Sequence, residues 1–439
     1  MSDDDARSPG CLLMKKSVPD ATGSTEIRAV KLIGGGRALA HSDGATWMIR
    51  GGLPGESLRV AQSRRRAGII EADVIEVLSD RHPARLEISC PHAKDCGGCD
   101  WPEVDPRMGA DLKIAVAAEA AGRFPEIADR IRGALITDSP SGYRLRSRLH
   151  WDPSTRVLGF YGPRSWRVSP ISHCGIISPT LTAALPSLTE NLINRSLMPV
   201  DLEILEGSDA TVAALRPGRG GPKSIPERCV PPAAECPGID GFHRLTKSSR
   251  ILPGWGLERV SMDLPVPLEI PIGSFFQGNR HLVPWLFERV ADLVGAGDEP
   301  VVDLHAGVGF LAAAARWAGH EDLIVVEPHQ PGAAAAQRNL PDARVVASSA
   351  EAFLEQNRDL AQGTLAITDP PRTGLTPELR RRLIEWRPRR LLMLGCDPAT
   401  WSRDAAEFID HGYVLSHLEL VDLFPFTHHV EILAVLESG

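Results

Sequence analysis

The sequence predicts an α/β protein: a parallel sheet with helices on both faces in its C-terminal part, a small antiparallel barrel near its start, and a mixed α+β region between them. Three observations carry this expectation. After Phe275, short apolar runs alternate with stretches of helical period, the pattern of strands and covering helices in a doubly wound sheet. Up to about Leu78, alternating runs are broken by Gly34-Gly35-Gly36, Asp43-Gly44 and Gly51-Gly52-Leu53-Pro54-Gly55, the texture of a small barrel. The length of 439 residues exceeds what one small core organises, so two to four domains are expected.

In chain order, residues 1–24 are polar and aperiodic, and a disordered tail is expected there. The barrel follows over 25–82 and a central region over 83–280, with an Ala-rich helix around 111–123 and a strand-rich, Pro- and Gly-rich stretch over 143–271. From 281 to 439 the elements are sharper. Leu282, Trp285, Leu286, Val290 and Leu293 recur at helical spacing, and Gly295-Ala296-Gly297 ends that helix. Strands are expected over 301–304, 323–326, 344–347, 365–368 and 391–394. Helices are expected over 312–318, 332–340, 350–357 and 376–385, the last with Thr376 as cap and Pro377 at its first position. Two final strands, 414–423 and 430–436, are expected to add an antiparallel edge.

Hydrophobic residues make up 43% of the chain and charged residues 24%, as in an ordinary globular protein. No apolar run approaches a membrane span, and Ser2-Asp3-Asp4-Asp5 is the wrong chemistry for a signal peptide, so a cytoplasmic protein with no membrane partner is expected. A net charge of -8 gives no general attraction to nucleic acid. Local basic runs exist at Arg64-Arg65-Arg66, Arg144/Arg146/Arg148, Arg380-Arg381-Arg382 and Arg389-Arg390, and the default reading of each is a solvated face. Of eight cysteines, Cys90, Cys96 and Cys99 fall within ten positions, whereas Cys11, Cys174, Cys229, Cys236 and Cys396 are scattered. In a reducing compartment such a cluster reads as metal ligands or catalysis before disulfides. Three thiolates at this spacing suit an iron–sulfur cluster or zinc, and both need a fourth ligand.

The chemistry-bearing motifs lie in the last third. Asp303-Leu304-His305-Ala306-Gly307-Val308-Gly309 is a strand end and a glycine turn before a helix, where a backbone can approach a ligand closely. Glu327, 24 residues after Asp303, ends the next strand and suits the two hydroxyls of a ribose. The third glycine of a dinucleotide fingerprint is missing, which favours a nucleoside without phosphates such as S-adenosylmethionine. Asp369-Pro370-Pro371 sets an acid on a rigid rim after the fourth strand. Cys396 offers a thiol directly after Leu391-Leu392-Met393-Leu394, and Glu431 offers a carboxylate in an apolar strand. A sulfur nucleophile plus a carboxylate base is the equipment for alkylating an unreactive carbon.

The order Phe275-Phe276-Gln277-Gly278-Asn279, Asp303–Gly309, Asp369–Gly374, Gly395–Thr400 and His428-His429-Val430-Glu431 resembles the RNA uracil-5-methyltransferase family, and the likeness covers roughly residues 25–439. It implies a Rossmann-like class I methyltransferase domain over 281–439, an OB-like TRAM barrel over 25–82 and a central RNA-binding domain with an iron–sulfur site over 83–280. It further implies Cys396 as nucleophile and Glu431 as proton-abstracting base. Gln277, His305, Gly307, Glu327, Ser349 and Asp369 then match positions that bind S-adenosylmethionine. Cys174 matches the family's distant fourth cysteine, so that Cys90, Cys96, Cys99 and Cys174 would hold a [4Fe–4S] cluster, with zinc as the alternative. Structured RNA is the implied partner, large-subunit rRNA favoured over tRNA, and no obligate protein partner is inferred. Two departures stand out: Phe310 occupies a place where the family often has a small polar residue, and about 202–258 matches poorly. Rival readings are a methyltransferase of a small molecule or protein, and a non-catalytic iron–sulfur RNA-binding protein.

Overall fold

The computed structural model describes residues 24–360 and 363–439. The tail expected over 1–24 lies outside the described residues except for Ser24, which opens the first strand. Two compact units emerge, one of described residues 24–31 with Arg37–His82, the other of Leu32–Gly36 with Pro83–Gly439.

The N-terminal sheet has six strands: β1 (Ser24–Arg28), β2 (Lys31–Ile33), β3 (Arg37–Ser42), β4 (Ala45–Arg50), β5 (Ser57–Arg66) and β6 (Ile69–Ser79), in the order β1-β5-β6-β4-β3-β2. The Val30 amide donates to the Leu39 carbonyl at 2.8 Å, which returns the first strand's extension to β3 and closes the sheet. Alternation does the rest: Ala45, Trp47 and Ile49 of β4 point inward and are buried, as a one-sided strand requires. This is an OB-like barrel.

Two helices, α1 (Ala110–Ala120) and α2 (Pro125–Arg132), and the short β7 (Ile136–Thr137) come next in the chain. A second sheet is then built from β8 (Arg146–Asp152), β9 (Val157–Tyr161), β10 (Val168–Pro170), β11 (Val200–Glu206), β12 (Thr211–Pro217), β13 (Gly241–Leu245) and β14 (Ile251–Gly256), with helix α3 (Pro179–Arg195) between β10 and β11. Leu181, Leu185, Leu188 and Leu192 of α3 cover one face, against Leu202, Ile204, Ala213 and Leu215. Nothing in the sequence reading placed α3. Its interior Pro186 argues against a helix, but Pro179 opens it and Ser178 caps it, accepting from the Leu181 amide at 3.2 Å. Cys229 and Cys236 are buried in this core. A hairpin, β15 (Arg259–Met262) and β16 (Leu268–Pro271), completes the region.

The C-terminal sheet alternates with helices as expected: α4 (Val283–Val294), β17 (Val301–Asp303), α5 (Phe310–Trp317), β18 (Leu323–Val326), α6 (Gln330–Asn339), β19 (Arg344–Val346), α7 (Ala350–Gln356), β20 (Leu365–Thr368), α8 (Pro377–Trp386), β21 (Arg390–Gly395), α9 (Pro398–Asp410), β22 (Tyr413–Val421) and β23 (Glu431–Ser438). Its order is β19-β18-β17-β20-β21-β23-β22-β7. The first five strands are parallel, and β23 runs antiparallel to both of its neighbours. The closing pair is therefore not the edge that the sequence suggested. The edge is β7, parallel to β22, because the chain before the central sheet already lies along that side.

Strands buried on both faces explain the continuous apolar runs. In β21, Leu392 and Leu394 face the core with α4, α5 and α6, while Leu391 and Met393 face α7, α8 and α9. Each such side chain, fully buried, contributes roughly 1.5–3 kcal/mol. Helices α1 and α2 also pack on this second face through Ala117, Ala121, Ile127 and Ile131, so residues from the 83–280 segment help to build the C-terminal layered unit. Strand order reverses between β17 and β20, and beyond the carboxyl ends of these strands lies the crevice in which open sheets bind ligands.

Candidate active site

The crevice is lined by strand ends. After β17, Gly307 and Gly309 adopt φ of 56° and 89°, left-handed values that a side chain resists. Their turn is clasped by Glu327 at the end of β18: its two carboxylate oxygens accept from the Gly307 amide at 2.8 Å and the His329 amide at 2.7 Å. Gly332 lets α6 approach, since a Cβ there would stand 3.1 Å from both Glu327 Cγ and the Gly307 carbonyl. His305 shares a hydrogen bond with the Thr368 hydroxyl, Nδ1 to Oγ1 at 2.7 Å, and burial pushes its pKa down to about 4, so the imidazole is neutral at physiological pH. Ser349 caps α7, accepting from the Ala352 amide at 3.2 Å.

Sequence reasoning singled out Asp303 only as the start of a motif. It is fully buried beneath the turn, near the amides of His305 and Ala312, yet neither carboxylate oxygen makes a hydrogen bond of normal geometry. Burial above all, then the charge of Asp369, pushes its pKa up to about 8. Phe310, the departure noted in the sequence, is core: it packs edge-to-face on Phe276 and Phe287 at 5.5 and 5.8 Å between ring centres.

Gln277 and Asn279 come from the segment between β16 and α4. Gln277 Nε2 donates to Asp369 Oδ2 at 2.9 Å. Asn279, wholly buried, donates to Ser139 Oγ at 2.8 Å and the Leu423 carbonyl at 3.0 Å and accepts the amides of His281 and Leu282, a structural hub that fixes Gln277's approach.

Cys396 follows β21, one residue before Asp397, which caps α9 by accepting the Thr400 amide at 2.9 Å. Gly395 pairs with Ile432 in the antiparallel β21–β23 ladder, so that the next residue, Cys396, lies beside Glu431. Gly395 is obligatory for this: a Cβ there would meet the Trp401 ring at 2.4 Å. Glu431 is 5% exposed, and its Oε2 has no hydrogen-bond partner. Burial, then the Asp369 charge, pushes its pKa well above the carboxylate range, while Arg372 opposes this. Asp369 is pushed up to about 7 by burial, against the Gln277 amide. The Cys396 thiol is pushed up to about 12 by burial and by the Glu431 and Asp369 charges, again opposed by Arg372. Those acids are themselves held towards neutrality, so much of the repulsion on the thiol is absent near pH 7. Arg372, missed in the sequence, is the cation among the described residues that acts on both Cys396 and Glu431; its Nη2 lies 3.3 Å from His429 Nε2.

Cys90, Cys96, Cys99 and Cys174 line one apolar pocket together with Phe160, Ile171, Ile176 and Phe426. Gly97 and Gly98 allow the tight wrap: a Cβ on Gly97 would meet the Tyr161 carbonyl at 2.9 Å. The Gly98 amide donates to Cys96 Sγ at 3.3 Å. Burial and mutual repulsion raise the Cys96 thiol and push Cys99 up to about 12.

The sheet face turned away from α3 carries Glu203, fully buried among Arg146, Arg148 and Arg216. Burial pushes its carboxyl up, but the three guanidiniums outweigh this and hold it ionised. Alongside, His150 stacks on Tyr161 at 3.7 Å, Tyr161 meets Trp166 edge-on at 5.2 Å, and the Arg219 guanidinium lies 4.0 Å from the Trp166 ring centre. Trp166 is 63% exposed. By contrast, the run Arg380-Arg381-Arg382 is paired with Asp404, Glu378, Glu385, Glu407 and Glu355, a salt-bridged helix face. No helix among the described residues is long and apolar enough to cross a membrane.

The sequence profile of the tRNA (Uracil-5-)-methyltransferase family matches residues 268–438. The chain is 30% identical over 433 residues to the 23S rRNA (uracil(1939)-C(5))-methyltransferase RlmD of Pseudomonas putida, covering 93% of this chain and 92% of that one. It is 29% identical to the protein of the same name from Azoarcus sp., over 92% of this chain and 97% of the relative. In fold it is similar to the crystal structure of Pyrococcus abyssi tRNA (uracil-54, C5)-methyltransferase in complex with S-adenosyl-L-homocysteine, with a TM-score of 0.70 over 93% of this chain and 99% of that one, at 21% identity. Identity of this level, sustained over nine-tenths of both sequences, goes beyond a shared architecture: the chain belongs to the RNA uracil-5-methyltransferase family, enzymes that methylate carbon 5 of uracil in RNA from S-adenosylmethionine.

Proposed function

We propose that this enzyme forms 5-methyluridine in large-subunit ribosomal RNA, with Cys396 as nucleophile and Glu431 as base. The observation that carries the mechanism is the β21–β23 register, which sets a thiol and an unpartnered buried carboxyl side by side at the mouth of the cofactor crevice. Carbon 5 of uracil is a poor nucleophile. Addition of the Cys396 thiolate to carbon 6 forms a C–S bond and moves the ring's electron pair onto carbon 5. S-adenosylmethionine, when bound, supplies an electrophilic methyl group on a sulfonium. Once carbon 5 carries the methyl group, Glu431 takes its proton, the C–S bond breaks, the double bond re-forms and the thiolate leaves. A high pKa suits Glu431 to accept that proton.

Glu327, Gly307, His305, Gln277, Asp369 and Ser349 are the residues we assign to the cofactor. The cradle fits a nucleoside: Glu327 is pre-set by two amides and keeps lone pairs for ribose hydroxyls, and the glycine turn leaves room for close approach. A sulfonium in that crevice joins Arg372 in favouring the thiolate of Cys396.

The rRNA preference is supported by relatives named as 23S rRNA enzymes at 29–30% identity over nine-tenths of the chain, against 21% for the tRNA enzyme. For RNA binding we assign the exposed part of the second sheet, where Arg148 suits a phosphate and Trp166 suits a base. Cys90, Cys96, Cys99 and Cys174 would hold a [4Fe–4S] cluster, which there supplies a structural cross-link of distant chain segments. Zinc fits less well. Four thiolates on one zinc at 2.3 Å stand about 3.8 Å apart, whereas among the described residues no three cysteine sulfurs lie within 4.8 Å of one another.

The substrate is tested by in vitro methylation of 23S rRNA and tRNA transcripts. Incorporation into the former, lost in Cys396→Ala, is expected; incorporation into tRNA alone would reverse the assignment. Anaerobic purification is expected to give iron and sulfide, and zinc alone would overturn the cluster.

A further inference from the structure

Lys113 of α1 stands apart from every residue assigned a role above, yet it is built into the segment that delivers the base. It is 2% exposed, and its ammonium donates to the Asp422 carboxylate, to the Phe424 carbonyl at 3.0 Å and to the His429 carbonyl at 2.9 Å. An ammonium has three donors, and all three acceptors lie in one stretch, the 422–430 connection from β22 to β23. That connection has no helix or strand of its own, and Phe426 within it holds a φ of 63°, a left-handed value that a non-glycine residue keeps only when its surroundings impose it. It ends at Glu431. On the way it presents His429, whose ring lies 3.3 Å from Arg372, the cation that acts on Cys396 and Glu431.

We propose that Lys113 is a positioning residue for the reaction: by gripping the 422–430 connection it holds Glu431 in line with the carbon-5 proton of the uracil bonded to Cys396. The inference rests on the reading of Cys396 and Glu431 given above. The connection is held elsewhere as well, by Asp100 on His428 at 2.7 Å and by the Trp101 amide on the Phe426 carbonyl at 2.9 Å. Among the described residues, Lys113 is the one whose side chain reaches the carbonyl two residues before the base. Without it, thiol addition and methyl transfer retain their groups, whereas proton removal from carbon 5 loses its alignment. The methylated base then stays bonded to Cys396.

Lys113→Met leaves Asp422 buried without its partner and is expected to lower stability for that reason alone. The deciding variant is therefore Lys113→Met/Asp422→Asn, which removes the charge pair as a unit, with folding checked by circular dichroism. Lys113→Arg, which keeps the charge but displaces the donors, is scored alongside, and Glu431→Gln serves as comparator. RNA, methyl-labelled cofactor and enzyme are mixed, quenched and run on a denaturing gel. For the double variant kcat is expected to fall about a hundredfold, the cost of a displacement near 1 Å, with RNA affinity unchanged and a labelled covalent adduct building up as in Glu431→Gln. Lys113→Arg is expected to give a smaller build-up. Wild-type turnover, or slow turnover without adduct, in both Lys113 variants overturns the proposal. If Glu431→Gln itself gives no adduct, the base assignment has failed and the role of Lys113 falls with it. An adduct in Glu431→Gln alone removes only Lys113.

Discussion

Gln277 donates its side-chain amide to Asp369 Oδ2 at 2.9 Å, and so joins the segment leading into α4 to the rim beyond β20. The two ends of this bond lie 92 positions apart in sequence, and both face the crevice where the cofactor is expected. The bond also restrains Asp369, whose carboxyl burial would otherwise push further up.

Gln277→Ala removes that donor and favours a neutral Asp369. A hydrogen bond to an ionised group is worth about 1.5–3 kcal/mol, so the Kd for S-adenosylmethionine is expected to rise roughly tenfold or more, with little change in Tm. Isothermal titration calorimetry measures it; an unchanged Kd removes both residues from the cofactor site.

The pH dependence turns on Arg372. Its charge favours the ionised forms of Cys396 and Glu431, both of which the mechanism needs ionised. His429 beside it is held neutral, its pKa pushed down to about 3 by burial and by the charge of His428, so it adds no cation. In Arg372→Gln both groups become harder to ionise, and the rising limb of kcat/KM moves to higher pH. A shift of one unit costs about tenfold at pH 7 and is partly recovered at about pH 9. A profile that drops evenly at every pH would contradict this role.

Asp303 couples pH to stability. Its carboxyl is neutral in the fold up to about pH 8 but ionises near 3.8 once exposed. The native state therefore holds the extra proton between these values, and stability falls as pH rises through that window. Asp303→Asn is expected to stabilise the protein by on the order of 5 kcal/mol at pH 8 and by much less at pH 4. Thermal melts across that range check it; an equal effect at both ends would refute it.

On the exposed part of the second sheet, Arg148→Ala is expected to weaken RNA binding for any sequence and to lower the salt slope by about one. Trp166→Ala, removing an exposed ring, is expected to cost about 1–3 kcal/mol of RNA affinity with no change in the salt slope. Filter binding over a salt series separates the two, and wild-type behaviour in both would move the RNA elsewhere.

Much of the catalytic sheet was legible because its strands are buried on both faces and read as unbroken apolar runs; β18 and β20 fall where the pattern puts them. Thr376 and Pro377 open α8 as capping chemistry predicts. What escaped has physical reasons. Two residues of β7 carry no pattern, and α3 contains a proline. Asp303 is a site residue by its burial, a property that no local pattern encodes, and the influence of Arg372 comes from bringing positions 372, 396 and 431 together. Lys113 reads in sequence as one polar residue on an Ala-rich helix, and only the fold brings it to Asp422.

The central claim is a transient bond between Cys396 and a uracil ring. Ribosomal RNA carrying 5-fluorouridine at the target cannot lose its carbon-5 substituent to Glu431, so the reaction should stop at the covalent stage. Mass spectrometry of the trapped complex is expected to give a methylated fluorouridine on the peptide containing Cys396 with the wild type, and none with Cys396→Ala. A free, methylated product from Cys396→Ala, or an adduct on another cysteine, would contradict the account.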